Sequence, residues 1–398
     1  MDTALVIGGT RFIGRHLVDD LLEHDYDVTL FTRGTSGNPF ADDDRVDHIE
    51  GDRTNETALE AAATTVDPDA VFDCVAYHPK DVRAATTIFA DCDAYVYVSS
   101  GAAYGREEIP KREGETPLHE CTLEQATDDS FETYGNRKAE GDRAVFAAAE
   151  DGVRAMAVRP PIVYGPHDHT ERLDWWIDRV NRFDRVVVPG DGTNLRHRVY
   201  VEDVASALRI VAERGAAGEA YNVGDRRLVT LEEMIDLIAE SLDRVAHSAT
   251  EKANDVELVR AGPRELAAGD IELDDYPLYR TYPHVLSTAK LAALDWASTS
   301  LETAMDRSVA DHLESDRDGS ENGPNGRPRS ACWGSSRRFD QESRRRSSRR
   351  DRDGCDASNS LSRPRSSDRS EPVSIADASG AAPADRAARR SAANSNRR

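Results

Sequence analysis

Tyr134 and Lys138 stand four residues apart in "YGNRK", a spacing that puts both side chains on one face of a helix. An ammonium beside a phenol stabilises the tyrosinate and draws its pKa towards working pH, which makes Tyr134 a candidate acid/base group. The same Lys138 is placed to hold a ribose hydroxyl of a bound nicotinamide nucleotide. Ser100 closes the apolar run "AYVYVSS", and a side chain at the carboxyl end of a parallel strand points into a ligand crevice. There it can hydrogen-bond a substrate hydroxyl or carbonyl opposite Tyr134. Together the three residues suit hydride transfer at a hydroxyl or carbonyl carbon. Y-x-x-x-K also occurs by chance and Ser100 also fits a strand-end cap, so the chemistry requires a cofactor site elsewhere in the chain.

That site is expected in "GGTRFIG", residues 8–14. Gly8 and Gly9 permit a tight turn and close approach of backbone N–H groups to a pyrophosphate, and Gly14 lets the following helix pack on the sheet. Thr10, Arg11, Phe12 and Ile13 complete the candidate cofactor loop. At the end of the second strand stand Thr32 and Arg33, where an acid would accept the ribose 2′-hydroxyl. No carboxylate occupies that strand end, and the guanidinium groups of Arg11 and Arg33 suit a 2′-phosphate. NADP is therefore expected as cofactor, with NAD the alternative. Asp52 in "EGDRT" is placed either to meet the adenine amino group or to cap a helix. Ala76 and Pro161 are further candidate cofactor contacts.

The elements that must position these groups read as alternating strands and helices. "TALVIGG", "YDVTLFTRG", "VDHIEGDRT", "AVFDCVAY" and "AYVYVSS" are strand-like, and "FIGRHLVDDLLEH", "LEAAATTVDPD" and "KDVRAATTIFADC" are helix-like. A helix over 132–150 and a strand over 153–159 follow. The alternation predicts a Rossmann-type, doubly wound parallel α/β sheet over residues 1–165. A smaller substrate-binding region is expected over 166–314, with elements returning to the Rossmann core; "TLEEMIDLIAESL" and "STAKLAALDW" are helical there. Residues 315–398 are Arg/Ser-rich, carry almost no apolar side chains and are expected to be disordered. A nucleic-acid arm, a linker or out-of-frame translation of GC-rich DNA would each give such a tail, and the abrupt change of composition favours the last.

The 398 residues are 38% hydrophobic and 31% charged, with a net charge of −23. From residue 315 onward, 19 arginines face 12 acids, so the remainder carries −30 with only five lysines. Sparse lysine and a dense acidic surface suit a protein dissolved in concentrated salt, and a halophilic source is expected. Such a body is a poor non-specific binder of nucleic acid. No apolar run reaches a membrane span and the chain opens on a strand rather than a leader, so a cytoplasmic location is expected. The five cysteines form no C-x-x-C pair, in keeping with a reducing compartment. His167 and His169 in "HDH" lack a third ligand at metal-site spacing, so no metal is expected, and Trp175 and Trp176 read as lid packing.

"GGTRFIG", "VSSGAAYG", "YGNRK", "VRPPIVYGP", "GDGTNLRHRVYVEDVASA", "YNVG" and "STAKLAALDW", in this order, resemble the extended short-chain dehydrogenase/reductase superfamily over residues 1–314. These are the NAD(P)-dependent sugar-nucleotide epimerase/dehydratase proteins. The resemblance implies Ser100, Tyr134 and Lys138 as catalytic triad, Arg196 as a cation facing a nucleotide diphosphate, and a nucleotide sugar or related polyol as substrate. A homodimer is expected with it. Two departures bear on the reaction. The acid pair that similar dehydratases carry after the active serine or threonine is Gly101 and Ala102 here, and the usual asparagine of R-x-x-N-x-Y-G-P is Ile162. The first loop is most similar to an atypical branch that includes the chloroplast stem-loop-binding proteins. Members of that branch are linked to RNA and tend to lack the Tyr–Lys pair. A non-catalytic, RNA-associated nucleotide binder is thus the rival reading, against which the retained pair argues.

Overall fold

Four short apolar runs are buried almost from end to end: β1 (Thr3–Ile7), β4 (Ala70–Asp73), β5 (Ala94–Val98) and β6 (Ala155–Arg159). Strands covered by helices on both faces need this pattern. The computed structural model describes residues 1–245 and 256–324. With β2 (Asp27–Thr32), β3 (Val46–Glu50) and a late strand, β10 (Ala220–Asn222), these runs make a seven-stranded sheet in the order β10-β6-β5-β4-β1-β2-β3. Every pairing in it is parallel. The order reverses between β1 and β4, and the crevice beyond their carboxyl ends is where such sheets bind ligands. The Rossmann-type expectation holds.

Helices α1 (Phe12–Glu23), α2 (Glu56–Val66), α3 (Pro79–Ile88) and α4 (Tyr134–Glu150) follow successive strands. On one face Leu5, Ile7, Val71 and Tyr95 pack under Leu59, Val82 and Val145 of α2, α3 and α4. The other face packs Val6, Leu30 and Val96 under Leu17 and Leu21 of α1 and Leu208 and Val211 of α6 (Val201–Arg214). That second core runs on without a break into Trp176, Met234 and Val309. These belong to α5 (Arg172–Arg182), α7 (Leu231–Val245) and α10 (Leu301–Leu313). Two strand pairs complete this part of the molecule: β7 (Ile162–Tyr164) with β9 (Arg198–Tyr200), and β8 (Arg185–Pro189) with β11 (Glu257–Ala261). Short helices α8 (Pro263–Ala267) and α9 (Ala289–Ala292) follow.

The helix read in "STAKLAALDW" shrinks to the single turn of α9, because Asp295 turns left-handed (φ 65°) and the Trp296 indole is anchored by donating to the Asp203 carbonyl at 3.1 Å. The boundary placed at residue 315 also moves. Residues 315–324 dock on the first turn of α5 and the segment leading into it: Arg317 pairs with Asp174 at 3.1 Å and with Asp311, the Gly319 N–H donates to the Glu171 carboxylate at 3.1 Å, and Asn322 Nδ2 donates to the Thr170 carbonyl at 2.7 Å. Gly319 lies so close to Trp175 that a Cβ there would come within 2.3 Å of its backbone nitrogen. The disorder expected of the tail concerns residues 325–398, which lie outside the described residues. Among the described residues, no helix is long and apolar enough to cross a membrane.

Candidate active site

The glycine loop is fixed by backbone contacts. Gly8 adopts φ 95° and donates its N–H to the Phe31 carbonyl at 3.1 Å, tying the turn to β2. A Cβ on Gly14 would stand 2.2 Å from the Gly8 carbonyl oxygen, and one on Gly9 would stand 2.4 Å from Leu30 Cδ2. Only glycine lets α1 begin this close to the end of β1. Arg11 is the N-cap of α1 and gives it no side-chain cap, so the helix N-terminus keeps N–H groups and positive dipole for a phosphate. A dinucleotide pyrophosphate fits this cradle, with residues 8–14 around it.

Arg11 acts electrostatically on Tyr77 and His169. His169 in turn stands edge-on to Phe12, ring centroids 6.1 Å apart, and His16 Nε2 bonds the Pro166 carbonyl at 3.0 Å. The loop after β7 therefore leans on the first turn of α1. "HDH" is part of this covering: His167 stacks on His16 at 5.8 Å and lies 3.4 Å from Asp311. Among the described residues no three His, Cys, Asp or Glu side chains gather as a metal site.

At the adenosine end, Thr32 Oγ1 bonds His48 Nε2 at 2.8 Å, and exposed Arg33 acts on Asp52. Asp52 is held ionised below the usual carboxylate range, chiefly because Thr54 donates to it from its N–H at 2.9 Å and its hydroxyl at 2.7 Å. Asn55, not Asp52, caps α2. A second carboxylate, which the sequence reading missed, stands here. The register of β2 and β3 sets Glu50 opposite Thr32, and its carboxylate lies over the turn at Gly34, where a Cβ would come 2.8 Å from Glu50 Cδ. Strand pairing is the signal that finds it.

Ser100 stands two residues beyond the end of β5 and caps the 3-10 turn Gly101–Ala103, its Oγ accepting from the Ala102 N–H at 3.1 Å. Tyr134 is the first residue of α4, which sets it beside the Ser100 turn. Gly135 makes this possible, since a Cβ there would stand 2.5 Å from the Ala102 carbonyl oxygen. Lys138, one turn on, is 3% exposed and donates to the carbonyls of Val98 at 2.8 Å and Ala76 at 3.0 Å. Its ammonium lies 5.8 Å from the Tyr134 ring centroid. Serine, tyrosine and lysine thus meet beyond the ends of β4 and β5, and Ala76 is the lysine's anchor.

The expected activation of the phenol by Lys138 is corrected. Burial pushes the Tyr134 hydroxyl above its ordinary pKa and Tyr77 adds to this, while the Ser100 side chain and the Arg137 and Arg172 cations oppose it. Burial also pulls Lys138 down, to about 8, against the attraction of Asp73 and Asp142. Behind the site, Arg159 bonds Asp142 at 2.8 Å and the Tyr104 hydroxyl at 3.0 Å, and Tyr104 donates to Asn222 at 2.8 Å. This chain fastens α4 to β6 and β10.

On the substrate side, Arg196 is half-buried and donates to the Tyr279 carbonyl at 2.8 Å. Ile162 is 8% exposed and belongs to the apolar core. Pro161 sits half-buried between β6 and β7. Two residues absent from the sequence reading stand out for polar atoms that are buried without a hydrogen-bond partner: Asn194, at both amide atoms, and His284, at Nδ1.

Residues 4–224 match the model of the NAD dependent epimerase/dehydratase family. The chain belongs to that family. It is 26% identical over 249 residues to the chloroplast stem-loop binding protein of 41 kDa b from Arabidopsis thaliana, covering 60% of this chain and only 62% of the plant protein. It is 25% identical to a putative UDP-glucose 4-epimerase from Methanocaldococcus jannaschii, over 64% of this chain and 88% of the archaeal one. Among solved structures, the fold is similar to that of a dTDP-glucose 4,6-dehydratase from Bacillus anthracis in complex with NAD. The TM-score there is 0.61 at 21% identity, covering 79% of this chain and 98% of the other. The family's enzymes are NAD-dependent epimerases and dehydratases, which agrees with an oxidoreductase or isomerase reading of this site over a non-catalytic one.

Proposed function

We propose that the protein moves a hydride at a hydroxyl or carbonyl carbon of a nucleotide sugar or related polyol, as an NAD(P)-dependent epimerase or reductase. The observation that carries this is the gathering of Ser100, Tyr134 and buried Lys138 at the crevice of the sheet. A bound nicotinamide would donate and accept the hydride. Ser100 holds the substrate oxygen and Tyr134 exchanges its proton. The raised phenol is protonated at rest, which suits donation to a carbonyl oxygen; in the oxidising direction Arg137, Arg172 and the Ser100 side chain favour the tyrosinate. Lys138 would hold a ribose hydroxyl of the cofactor.

The similarity to the archaeal putative UDP-glucose 4-epimerase supports a nucleotide sugar as substrate, with Arg196 towards its diphosphate and a homodimer as the assembly. Gly101 and Ala102 supply no acid or base for loss of water, which favours epimerisation or reduction over dehydration. Arg33 supports use of NADP, but Glu50 and Asp52 stand beside it, so the preference over NAD is small.

The test is a titration with NADP and NAD, followed by UDP-glucose, dTDP-glucose and related nucleotide sugars monitored at the reduced-cofactor absorbance. Tyr134→Phe should cost about 10²–10⁴ in turnover with cofactor affinity intact. Wild-type protein that binds neither cofactor ends this reading.

A further inference from the structure

Gly101, directly after Ser100, faces a side chain from far along the sequence. A Cβ on Gly101 would stand 3.0 Å from His284 Nε2 and 3.0 Å from Leu286 Cδ1. His284 is 8% exposed and its backbone is held on both sides, its N–H donating to the Leu195 carbonyl at 3.2 Å and its carbonyl accepting from the His197 N–H at 2.8 Å. It pairs in parallel register with Arg196, so the two side chains share a face. The backbone is fixed, yet Nδ1 of the ring is buried with no hydrogen-bond partner. A buried polar nitrogen left unpaired is costly, and such groups concentrate where a ligand completes them. Asn194, on the same approach to β9, repeats the pattern with both its amide atoms.

We propose that His284 is a substrate-contacting residue, its imidazole filling the space beside Ser100 that glycine leaves open and hydrogen-bonding a hydroxyl next to the reacting carbon. The inference rests on the proposed function and names the group that reads the substrate there. Charge selects the ligand class. Burial, followed by Arg280, Lys111, Arg196 and His197, pushes the His284 pKa down to about 2, so the ring is neutral wherever the protein works. A neutral imidazole offers one donor and one acceptor. A hydroxyl can donate to or accept from whichever ring nitrogen it meets, whereas a cationic group would meet Arg196, Arg280 and Lys111. His284 is therefore a reader of polyol hydroxyls and not a proton-transfer group. A methyl at Gly101 would press on the ring and on Leu286 Cδ1.

The test uses the full chain saturated with its nicotinamide cofactor, with UDP-glucose and dTDP-glucose as probes. His284→Phe should weaken sugar-nucleotide binding and raise KM about tenfold or more, and His284→Gln, which keeps a donor and an acceptor, should recover most of the loss. Gly101→Ala should reproduce the phenylalanine variant with His284 intact. Cofactor Kd should stay unchanged throughout. A His284→Phe protein that binds and turns over the probe like the parent overturns the inference and leaves the proposed function standing. Equal loss of cofactor affinity in the Phe and Gln variants marks a purely structural histidine and overturns it too. Wild-type protein that binds cofactor but neither probe sinks the substrate class and this inference together.

Discussion

The two halves of the crevice are built on opposite plans. The cofactor half is local and made of backbone: one seven-residue loop, three glycines forced by contacts of 2.2–2.5 Å, and an uncapped helix start. The substrate half gathers Ser100, Arg196 and His284 from three distant segments, and polar atoms remain unpaired in it at Asn194 and His284. One half offers its ligand backbone N–H groups at a helix start, the other offers side chains. A site that serves one fixed cofactor can be preformed by the chain trace alone. Recognition of a particular substrate depends on side chains whose partners arrive with it.

That contrast can be broken at either end. The largest effect is expected from Gly14→Ala, which drives a methyl into the Gly8 carbonyl: cofactor Kd should rise about 100-fold or more and the protein should lose about 1–3 kcal/mol of stability. Isothermal titration and thermal melts would read both, and an alanine variant with normal affinity would show that the loop is not preformed as described. Next comes pH. Lys138 is depressed to about 8, so its ammonium is present below that value and lost above it. Cofactor affinity should then fall about tenfold between pH 7 and pH 9, and Lys138→Met should flatten the profile. A wild-type profile flat to pH 9 would remove the lysine from cofactor binding. The smallest effect is at the adenosine corner, where Glu50→Gln should move the NADP/NAD Kd ratio towards NADP by roughly three- to tenfold and Arg33→Asp should move it the other way. Competition between the two cofactors measures it, and a ratio indifferent to both changes would place the discrimination elsewhere.

What the sequence disclosed follows the same division. "GGTRFIG" and "YGNRK" are legible because their chemistry is contained in a few consecutive residues and a helical repeat. Glu50 is not, since only the pairing of β3 with β2 brings it to the cofactor corner. His284 is hidden further, because nothing near "YPHVL" signals that it will lie against Gly101. The state of Tyr134 was misread for a related reason: a neighbouring lysine is visible in the sequence, whereas the burial that outweighs it arises only when α4 closes on the Ser100 turn. Arg11 was assigned to a phosphate on the strength of its loop, and the fold gives it Tyr77 and His169 as well.

The docking of residues 315–324 bears on the gene. Composition changes character at residue 315, but Arg317 contacts the first turn of α5, and Gly319 and Asn322 contact the segment before it. Residues 315–324 are therefore packed with the folded body, ahead of the arginine-rich stretch. A gene trimmed at codon 314 would remove a clasp on the loop that overlies the nucleotide cradle; one trimmed after codon 324 would keep it.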